Sequence, residues 1–231
     1  MKLEVFDDAD SVAQKAAEAI ASDARAVIVD RGRYALAVSG GHTPWIMLRA
    51  LASEDLAWAS VHIFQVDERV APDGDPDRNL THLRESLLQH APIRPEQIHA
   101  MPVERADLNQ AAAEYALNLQ EIAGSPPVLD LVHLGLGPDG HTASLVPEDQ
   151  VLKITDADVG ITGVYQGRQR MTLTYPALNR ARRILWVVTG SEKIQPLQRL
   201  LNGDDSIPAG KIRREQSLVL ADRAAVGELG A

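Results

Sequence analysis

Two ionisable side chains in "GLGPDGHTASLVP", residues 135–147, have the types and spacing needed for acid–base chemistry. A histidine side chain titrates near neutral pH, so the imidazole of His141 can take a proton from water. Asp139 can hold one imidazole tautomer and stabilise the imidazolium, while the glycines and following amides can face a developing oxyanion. Turn chemistry is the alternative, since Asp139 can form an Asx-turn and His141 can cap the next turn. The position beside other polar strand ends favours catalysis.

The same segment contains the G-x-G-x-x-G pattern of a dinucleotide-binding turn, at Gly135, Gly137 and Gly140. Pro147 leaves little more than one helical turn after the third glycine, and Asp139 would place a carboxylate against a pyrophosphate. Both features argue against a dinucleotide. A dinucleotide-binding turn also has an acidic residue about 20 positions later. Asp156 falls near that spacing, so this criterion does not decide for or against a dinucleotide. A P-loop is excluded because no Lys-Ser or Lys-Thr pair follows the glycines.

A second segment, "SGGHTP" at residues 39–44, has the features of an anion-binding turn. Its glycines separate a predicted strand from a predicted helix, with Thr43 as the expected N-cap and Pro44 at the first helical position. Unpaired amides and the positive end of the helix dipole meet at such a turn. A plain tight turn is the alternative, and the segment alone does not decide. The candidate phosphate ligands here are Ser39, Gly40, Gly41, His42 and Thr43.

Three cations at other strand ends favour a phosphate at this turn. Lys193 falls in the first turn of a helix if Ser191 is the N-cap, where the dipole disfavours a cation by about a few tenths of a kcal/mol. A bound phosphate would reverse that penalty. Arg69 follows one predicted strand, and Arg170 immediately precedes "MTLTY". Together they would suit a dianionic phosphomonoester, although each alone can be an ordinary surface charge.

Apolar runs alternate with amphipathic segments along the chain, which predicts βαβ units. The predicted strands are 34–38, 61–67, 128–136, "RMTLTYP", "RRILWVVTG" and "SLVLAD", and the predicted helices are 10–29, 43–52, 79–90, 107–123, 191–203 and a short tail. This order indicates an α/β fold, a three-layer αβα sandwich with a Rossmann-like, mostly parallel sheet. No repeat or long linker divides the chain, so we expect residues 1–231 to form one domain.

Polar or glycine-rich segments follow four of the predicted strands. They are residues 39–43, 67–69, 135–141 and 190–193. In parallel α/β sheets the ligand crevice lies outside the carboxyl ends of the strands. We therefore expect these segments to meet at one site, which adds Asp67 to the candidate binding residues.

Composition narrows the classes of function. The net charge of −9 argues against general binding to nucleic acids or membrane surfaces, and the chain has no cysteine for disulfides or thiolate chemistry. No H-E-x-x-H or similar ligand cluster occurs, so we expect no metal site. The N-terminus lacks an apolar signal region and no run of 18 apolar residues occurs, which predicts a cytoplasmic protein.

Together these motifs resemble the 6-phosphogluconolactonase family, which is related to the glucosamine-6-phosphate isomerase/deaminases. The motifs appear in order as "SGGHTP", "VDERVAPDGDPDRN", "GLGPDGHTASLVP", "RMTLTYPALNRA" and "GSEK", followed by "SIPAGKIRREQSLVLAD". The resemblance implies hydrolysis of 6-phospho-D-glucono-1,5-lactone to 6-phosphogluconate in the pentose phosphate pathway, without metal or cofactor. It implies that His141 activates water. It also implies that the glycine-rich turn, Arg69, Arg170 and Lys193 hold substrate and phosphate. We expect a monomer or small homo-oligomer.

Departures from the family pattern keep two alternatives open. His42 stands where the family usually has Ser or Thr, Arg78 stands where Ser commonly precedes Asn79, and residues 148–169 lack the usual proline-rich run. The sister activity, isomerisation and deamination of glucosamine 6-phosphate, uses a glutamate five residues after the histidine, where this chain has Val146. Asp67 would match that branch's proton-transfer aspartate. A non-catalytic sugar-phosphate-binding module is the other alternative.

Overall fold

The computed structural model describes residues 1–227. The strands in this range are β1 (Lys2–Phe6), β2 (Tyr34–Val38), β3 (Val61–Gln65), β4 (Asp67–Arg69), β5 (Ile98–His99), β6 (Leu131–Leu134), β7 (Val159–Ile161), β8 (Arg170–Leu173), β9 (Arg183–Val188) and β10 (Ser217–Asp222). The helices are α1 (Ala9–Arg31), α2 (His42–Leu51), α3 (Asn79–Leu83), α4 (Leu108–Ala123), α5 (Tyr175–Arg180), α6 (Ile194–Asn202) and α7 (Arg223–Val226). A π-helical turn, Arg84–Leu88, continues α3, and 3₁₀ turns cover Trp58–Ser60, Pro95–Gln97, Gln150–Lys153, Ser191–Lys193 and Pro208–Lys211.

Seven strands form one sheet in the order β1-β10-β9-β6-β2-β3-β5, and every pair in it is parallel. From β2 the chain builds outward through β3 to β5. It then returns to the other side of β2 and builds outward through β6, β9 and β10. The strand order therefore reverses between β2 and β6, and a crevice forms at the carboxyl ends of strands at such a switch point.

Helices cover both faces of this sheet. In β2, Tyr34, Leu36 and Val38 pack into the apolar cluster formed with α1, α2 and α3, whereas Ala35 and Ala37 pack into the cluster formed with α4, α5, α6 and α7. Alternate residues of a strand point to opposite faces, so burial on both sides requires a continuous apolar run. The predicted α/β sandwich with a mostly parallel sheet is confirmed.

The structure also contains a second, antiparallel sheet in the order β4-β8-β7, which the sequence does not predict. The predicted strand 61–67 is wrong at its end, because β3 stops at Gln65 and Asp67 begins β4. Asp67 pairs with Thr172, and Arg69 pairs with Arg170. This small sheet brings the segment after β3 next to β8, and both strands contribute to the site.

The predicted helix cap at Thr43 is wrong, and the condition that Ser191 is an N-cap is not met. Gly41, not Thr43, is the N-cap of α2, and the Thr43 hydroxyl forms a hydrogen bond with the Thr189 hydroxyl at 2.7 Å instead. The 3₁₀ turn before α6 has Gly190 as its N-cap, and Ser191 makes no capping hydrogen bond. Glycine fits both cap positions because each has a positive φ, 134° at Gly41 and 98° at Gly190.

The predicted helical tail begins with α7, and residues 228–231 lie outside the described part of the chain. That residues 1–231 form one domain stays a prediction. Within residues 1–227, none of the helices combines the length and the apolar character needed to cross a bilayer.

Candidate active site

A cavity of about 300 Å³ opens where the segments after β2 and β6 meet. The predicted binding residues line it, namely Ser39, Gly40, Gly41, His42, Thr43, Asp67, Arg69, Arg170 and Lys193. His141 lines it as well, whereas Asp139 contacts His141 without forming part of the wall. Residues that the sequence analysis did not single out also line it, including Asn79, Thr189 and Glu192. That these residues bind a ligand stays a prediction.

His141 and Asp139 are in direct contact. The distance from His141 Nδ1 to Asp139 Oδ1 is 2.6 Å, and the same oxygen accepts the backbone N–H of His141 at 3.1 Å. Burial raises the pKa of Asp139, but the backbone hydrogen bond, the imidazole charge and the imidazole hydrogen bond together lower it below its usual value. An ionised carboxylate only accepts hydrogen bonds, so Nδ1 must carry the proton. The lone pair of the imidazole is therefore on Nε2, as a general base requires.

Gly137 leaves the space that the imidazole occupies. A Cβ added at Gly137 would lie 2.7 Å from Cγ of His141 and closer still to Nδ1 and Cε1. The loop is closed by the Gly137 N–H, which donates to the His141 carbonyl at 2.8 Å. The second glycine of the motif thus permits close packing of the histidine ring, which explains its presence without a dinucleotide.

The turn after β2 presents unpaired amides to the cavity. Within residues 1–227, the N–H groups of Gly40, Gly41, His42 and Thr43 donate to no protein group. Ser39 donates its N–H to Nδ1 of His133 at 3.3 Å, and its buried hydroxyl has no protein partner. These groups lie at the N-terminus of the ten-residue helix α2, so amide donors and helix dipole act together.

Arg69 and Arg170 are unpaired cations at the cavity. They stand directly opposite each other in the β4–β8 ladder, and neither forms an ion pair with any residue of the described chain. Arg170 is only 5% exposed, and burial together with the charge of Arg69 lowers the pKa of its guanidinium. Like charges on opposite residues of a strand pair destabilise a sheet. The Nε atoms of both arginines are buried without a partner, so a bound anion would relieve both the repulsion and the desolvation.

Lys193 and His42 add positive groups at other points of the wall. Lys193 is half-buried, and its ammonium lies 3.6 Å from the exposed carboxylate of Glu192. His42 is the exposed first residue of α2. At this position His42 presents an imidazole in place of the Ser or Thr hydroxyl of the family pattern.

Asp67 is buried and held by two neighbours. Ser144 donates its hydroxyl to Asp67 Oδ2 at 2.6 Å, and Asn79 donates its amide to the Asp67 carbonyl at 3.0 Å. Arg78, noted as a departure, is buried and pairs with the fully buried Glu68 at 3.1 Å. Glu68 also accepts the N–H of Asn79 at 2.8 Å, so this substitution supports the loop that carries Asn79.

Tyr165 is the main feature that the sequence analysis missed. Its hydroxyl donates to Asp139 Oδ2 at 3.0 Å, and its ring meets the imidazole of His141 edge-on. No motif marks this residue, because it lies 26 residues from Asp139 in a segment without periodicity. Within residues 1–227, no cluster of three or more metal-ligating side chains occurs.

The fold and the site define an α/β protein with a His–Asp pair and an amide-rich, cationic turn around one cavity. A family model described as glucosamine-6-phosphate isomerases/6-phosphogluconolactonase matches residues 7–220. Relatives named 6-phosphogluconolactonase from Nostoc sp. (strain PCC 7120) and Mycobacterium tuberculosis are each 34% identical to this chain, with 98% of both chains covered. The chain therefore belongs to the glucosamine-6-phosphate isomerase/6-phosphogluconolactonase family, and the resemblance seen in the motifs is confirmed.

Solved structures agree with this assignment. A crystal structure of 6-phosphogluconolactonase from Thermotoga maritima matches with a TM-score of 0.84 at 27% identity, covering 96% of this chain and 98% of that one. A monomeric glucosamine-6-phosphate deaminase also matches with a TM-score of 0.84, at 19% identity. The second likeness shows the fold alone, so the choice between the two activities depends on the site.

Proposed function

We propose that this protein hydrolyses 6-phospho-D-glucono-1,5-lactone to 6-phospho-D-gluconate, the lactonase step of the oxidative pentose phosphate pathway. The observation that carries the proposal is the His141–Asp139 pair beside a cavity that also holds unpaired amides and cations. The motif set and the 6-phosphogluconolactonase relatives support the same assignment.

His141 acts as the general base. Nε2 takes a proton from water while the water oxygen attacks the lactone carbonyl, and Asp139 stabilises the imidazolium that forms. The tetrahedral intermediate then collapses, the bond from the carbonyl carbon to the ring oxygen breaks, and the imidazolium returns its proton to that oxygen. Each atom of water ends in the product, and no oxidation or reduction takes place. The reaction therefore requires no redox cofactor.

The phosphate is bound at the turn after β2. The free N–H groups of residues 40–43 and the charges of Arg69, Arg170 and Lys193 supply donors and positive charge for a dianion. The opposed arginines favour this assignment, because the strand pair is electrostatically unfavourable until an anion binds between or beside them. His42 supplies a further donor.

The sister activity is less well supported by the side chains. Val146 is 3% exposed and apolar, so the carboxylate expected at this position for ring opening is absent. Asp67 does line the cavity, which keeps deamination as the alternative enzyme activity. A pure binding module would have no use for a histidine whose Nε2 is kept free as a base.

A paired assay tests the proposal. One reaction follows 6-phosphogluconate formed from the lactone through a coupled dehydrogenase, with the spontaneous hydrolysis rate subtracted. The other follows ammonia released from glucosamine 6-phosphate. We expect enzymatic turnover in the first reaction alone. Ammonia release without lactone opening would assign the protein to the sister activity, and binding without either reaction would indicate a sensor.

We also propose a cytoplasmic location, a phosphorylated sugar lactone as the only partner in catalysis, and a monomer or small homo-oligomer. The acidic net charge of −9 supports the absence of nucleic-acid or membrane binding.

A further inference from the structure

Tyr165 connects the catalytic pair to the binding residues. Its hydroxyl donates to Asp139 Oδ2 at 3.0 Å, while Oδ1 of the same carboxylate contacts His141. The ring of Tyr165 lies 5.6 Å from the imidazole at an interplanar angle of 70°, and the guanidinium carbon of Arg170 lies 4.9 Å from the ring centroid. One side chain thus touches Asp139, His141 and Arg170 at once.

The tip that carries Tyr165 is held from two sides. Tyr165 and Arg168 exchange backbone hydrogen bonds across Gln166 and Gly167, both with positive φ, as a tight two-residue hairpin requires. Arg168 then pairs with Asp75 at 3.1 Å and with Asp77 at 2.9 Å, on the loop after β4. The position of the Tyr165 hydroxyl is therefore set by a fixed hairpin and not by a free loop.

We propose that Tyr165 is a positioning residue for this reaction, which orients the Asp139 carboxylate toward His141 and moderates its negative charge. The inference rests on the proposed hydrolysis by His141. Nothing in the motif set assigns a role to this hairpin, where the chain lacks the proline-rich run of the family pattern.

The hydrogen bond sets the sign of the effect on His141. A hydroxyl that donates to Oδ2 draws negative charge away from Oδ1, so Asp139 stabilises the imidazolium less than an unbonded carboxylate would. Removing the hydroxyl should return that charge to the carboxylate and free it to rotate about its Cβ–Cγ bond, which weakens the hold on Nδ1.

Besides His141, six ionisable groups face the cavity, and replacing Tyr165 alters none of them. They are His42, Asp67, Arg69, Arg170, Glu192 and Lys193. Tyr165 is not among the residues that line the cavity, and its hydroxyl donates to Asp139. A change confined to kcat and to the pH profile therefore separates positioning from binding.

The experiment uses Tyr165→Phe, which keeps the ring against His141 and Arg170 and removes only the hydroxyl. We expect kcat to fall by about tenfold with KM nearly unchanged, and the acid limb of the kcat–pH profile to move to higher pH. The ¹H NMR resonance of the His141 Nδ1 proton should move upfield, because its charge-assisted hydrogen bond to Asp139 weakens. Tyr175→Phe is the matched control, because the Tyr175 hydroxyl donates to the Pro208 carbonyl away from the cavity.

A double-mutant cycle with Asp139→Asn tests whether Tyr165 acts through Asp139. The effect of Tyr165→Phe should shrink in the Asp139→Asn background. An equal effect in both backgrounds, or an unchanged resonance of the His141 Nδ1 proton, would overturn the proposal. The NMR measurement needs no turnover, so a wild-type protein inactive on the lactone would refute the proposed function and leave the positioning claim measurable.

Discussion

The packing of the His141 ring against Gly137 predicts the effect of one methyl group on catalysis. The backbone of Gly137 lies outside the left-handed region, so alanine can occupy it without conformational strain. The added Cβ would lie 2.7 Å from Cγ of the imidazole and nearer to Nδ1 and Cε1. Gly137→Ala therefore acts by displacing the ring.

The size of the displacement sets the expected loss. Non-bonded carbon atoms pack at roughly 3.5–4.0 Å, so the ring must move by about 1 Å or more. A shift of that size breaks the 2.6 Å contact between Nδ1 and Asp139 Oδ1. Misplacement of a catalytic group by about 1 Å costs roughly 10²-fold in rate, or about 3 kcal/mol of transition-state stabilisation. KM should change little, because the amides and cations of the phosphate turn are untouched.

Steady-state kinetics of lactone hydrolysis, with the spontaneous rate subtracted, measure this effect. Gly163→Ala is the control, since Gly163 is exposed, does not line the cavity and its added Cβ would meet only the Asp149 carboxylate, at 3.3 Å, so its kcat should stay near the wild-type value. Thermal unfolding of Gly137→Ala should also stay near wild type, because the His141 side chain is 20% exposed and can move into the cavity. A wild-type kcat in Gly137→Ala would refute the claimed placement of the imidazole.

Three further predictions concern binding, the catalytic pair and acid stability. Lys193→Ala and Arg170→Ala should each raise KM for the phosphorylated lactone by about tenfold or more, because each removes a charged donor to the phosphate. The effect on the unphosphorylated lactone should be far smaller, and steady-state kinetics with both substrates measure the difference. Asp139→Asn should lower kcat by about 10²–10⁴-fold with KM nearly unchanged, since the carboxylate that holds the reactive tautomer is lost, as the same kinetics would show. His133 is fully buried, which lowers its pKa to about 3, so its protonation in the unfolded state should lower the free energy of unfolding by about 1 kcal/mol per pH unit as pH falls from 6.5 toward 3. Burial also lowers the pKa of His99, to about 4, which adds a slope of the same sign. Urea unfolding of wild type and His133→Asn at pH 7 and pH 5 isolates the His133 part as the difference between the two slopes.

Each of these predictions has a control or a contradicting result. Lys153→Ala, an exposed lysine bonded to Gln150, should leave both substrates unaffected, and equal losses on both lactones in Lys193→Ala would remove the phosphate assignment. An Asp139→Asn variant with full kcat would show that the tautomer is held by another group. His133→Asn keeps an acceptor near the Ser39 N–H without a titrating group, so an unchanged acid slope in it would show that His133 is not the cause.

The parallel sheet and the meeting of its polar ends follow from local sequence patterns. Residues 34–38 form β2 as predicted, because burial on both faces demands an unbroken apolar run. The amino-acid sequence is enough to place the segments after β2 and β6 together, since parallel strands bring their carboxyl ends to one edge. Residue types there are enough to pair Asp139 with His141, but they do not decide between a direct contact and one through water, which the structure shows to be direct.

Other parts depend on contacts distant in sequence. Strand β4 pairs with β8, about a hundred residues later, and a three-residue strand carries no periodicity of its own. Strand β1 is only partly buried and lacks clear alternation, so its sequence does not predict it. Thr43 has the right residue type for a cap, but its hydroxyl bonds to Thr189, a tertiary partner that local propensity cannot anticipate.

The role of His141 as the base is tested by kcat of His141→Ala on 6-phospho-D-glucono-1,5-lactone, compared with wild type and with the spontaneous opening rate subtracted. We expect a loss of about 10²–10⁴-fold with KM almost unchanged, because the base that activates water is removed while the phosphate site remains. A variant that kept the wild-type kcat would contradict this role and remove His141 from the reaction.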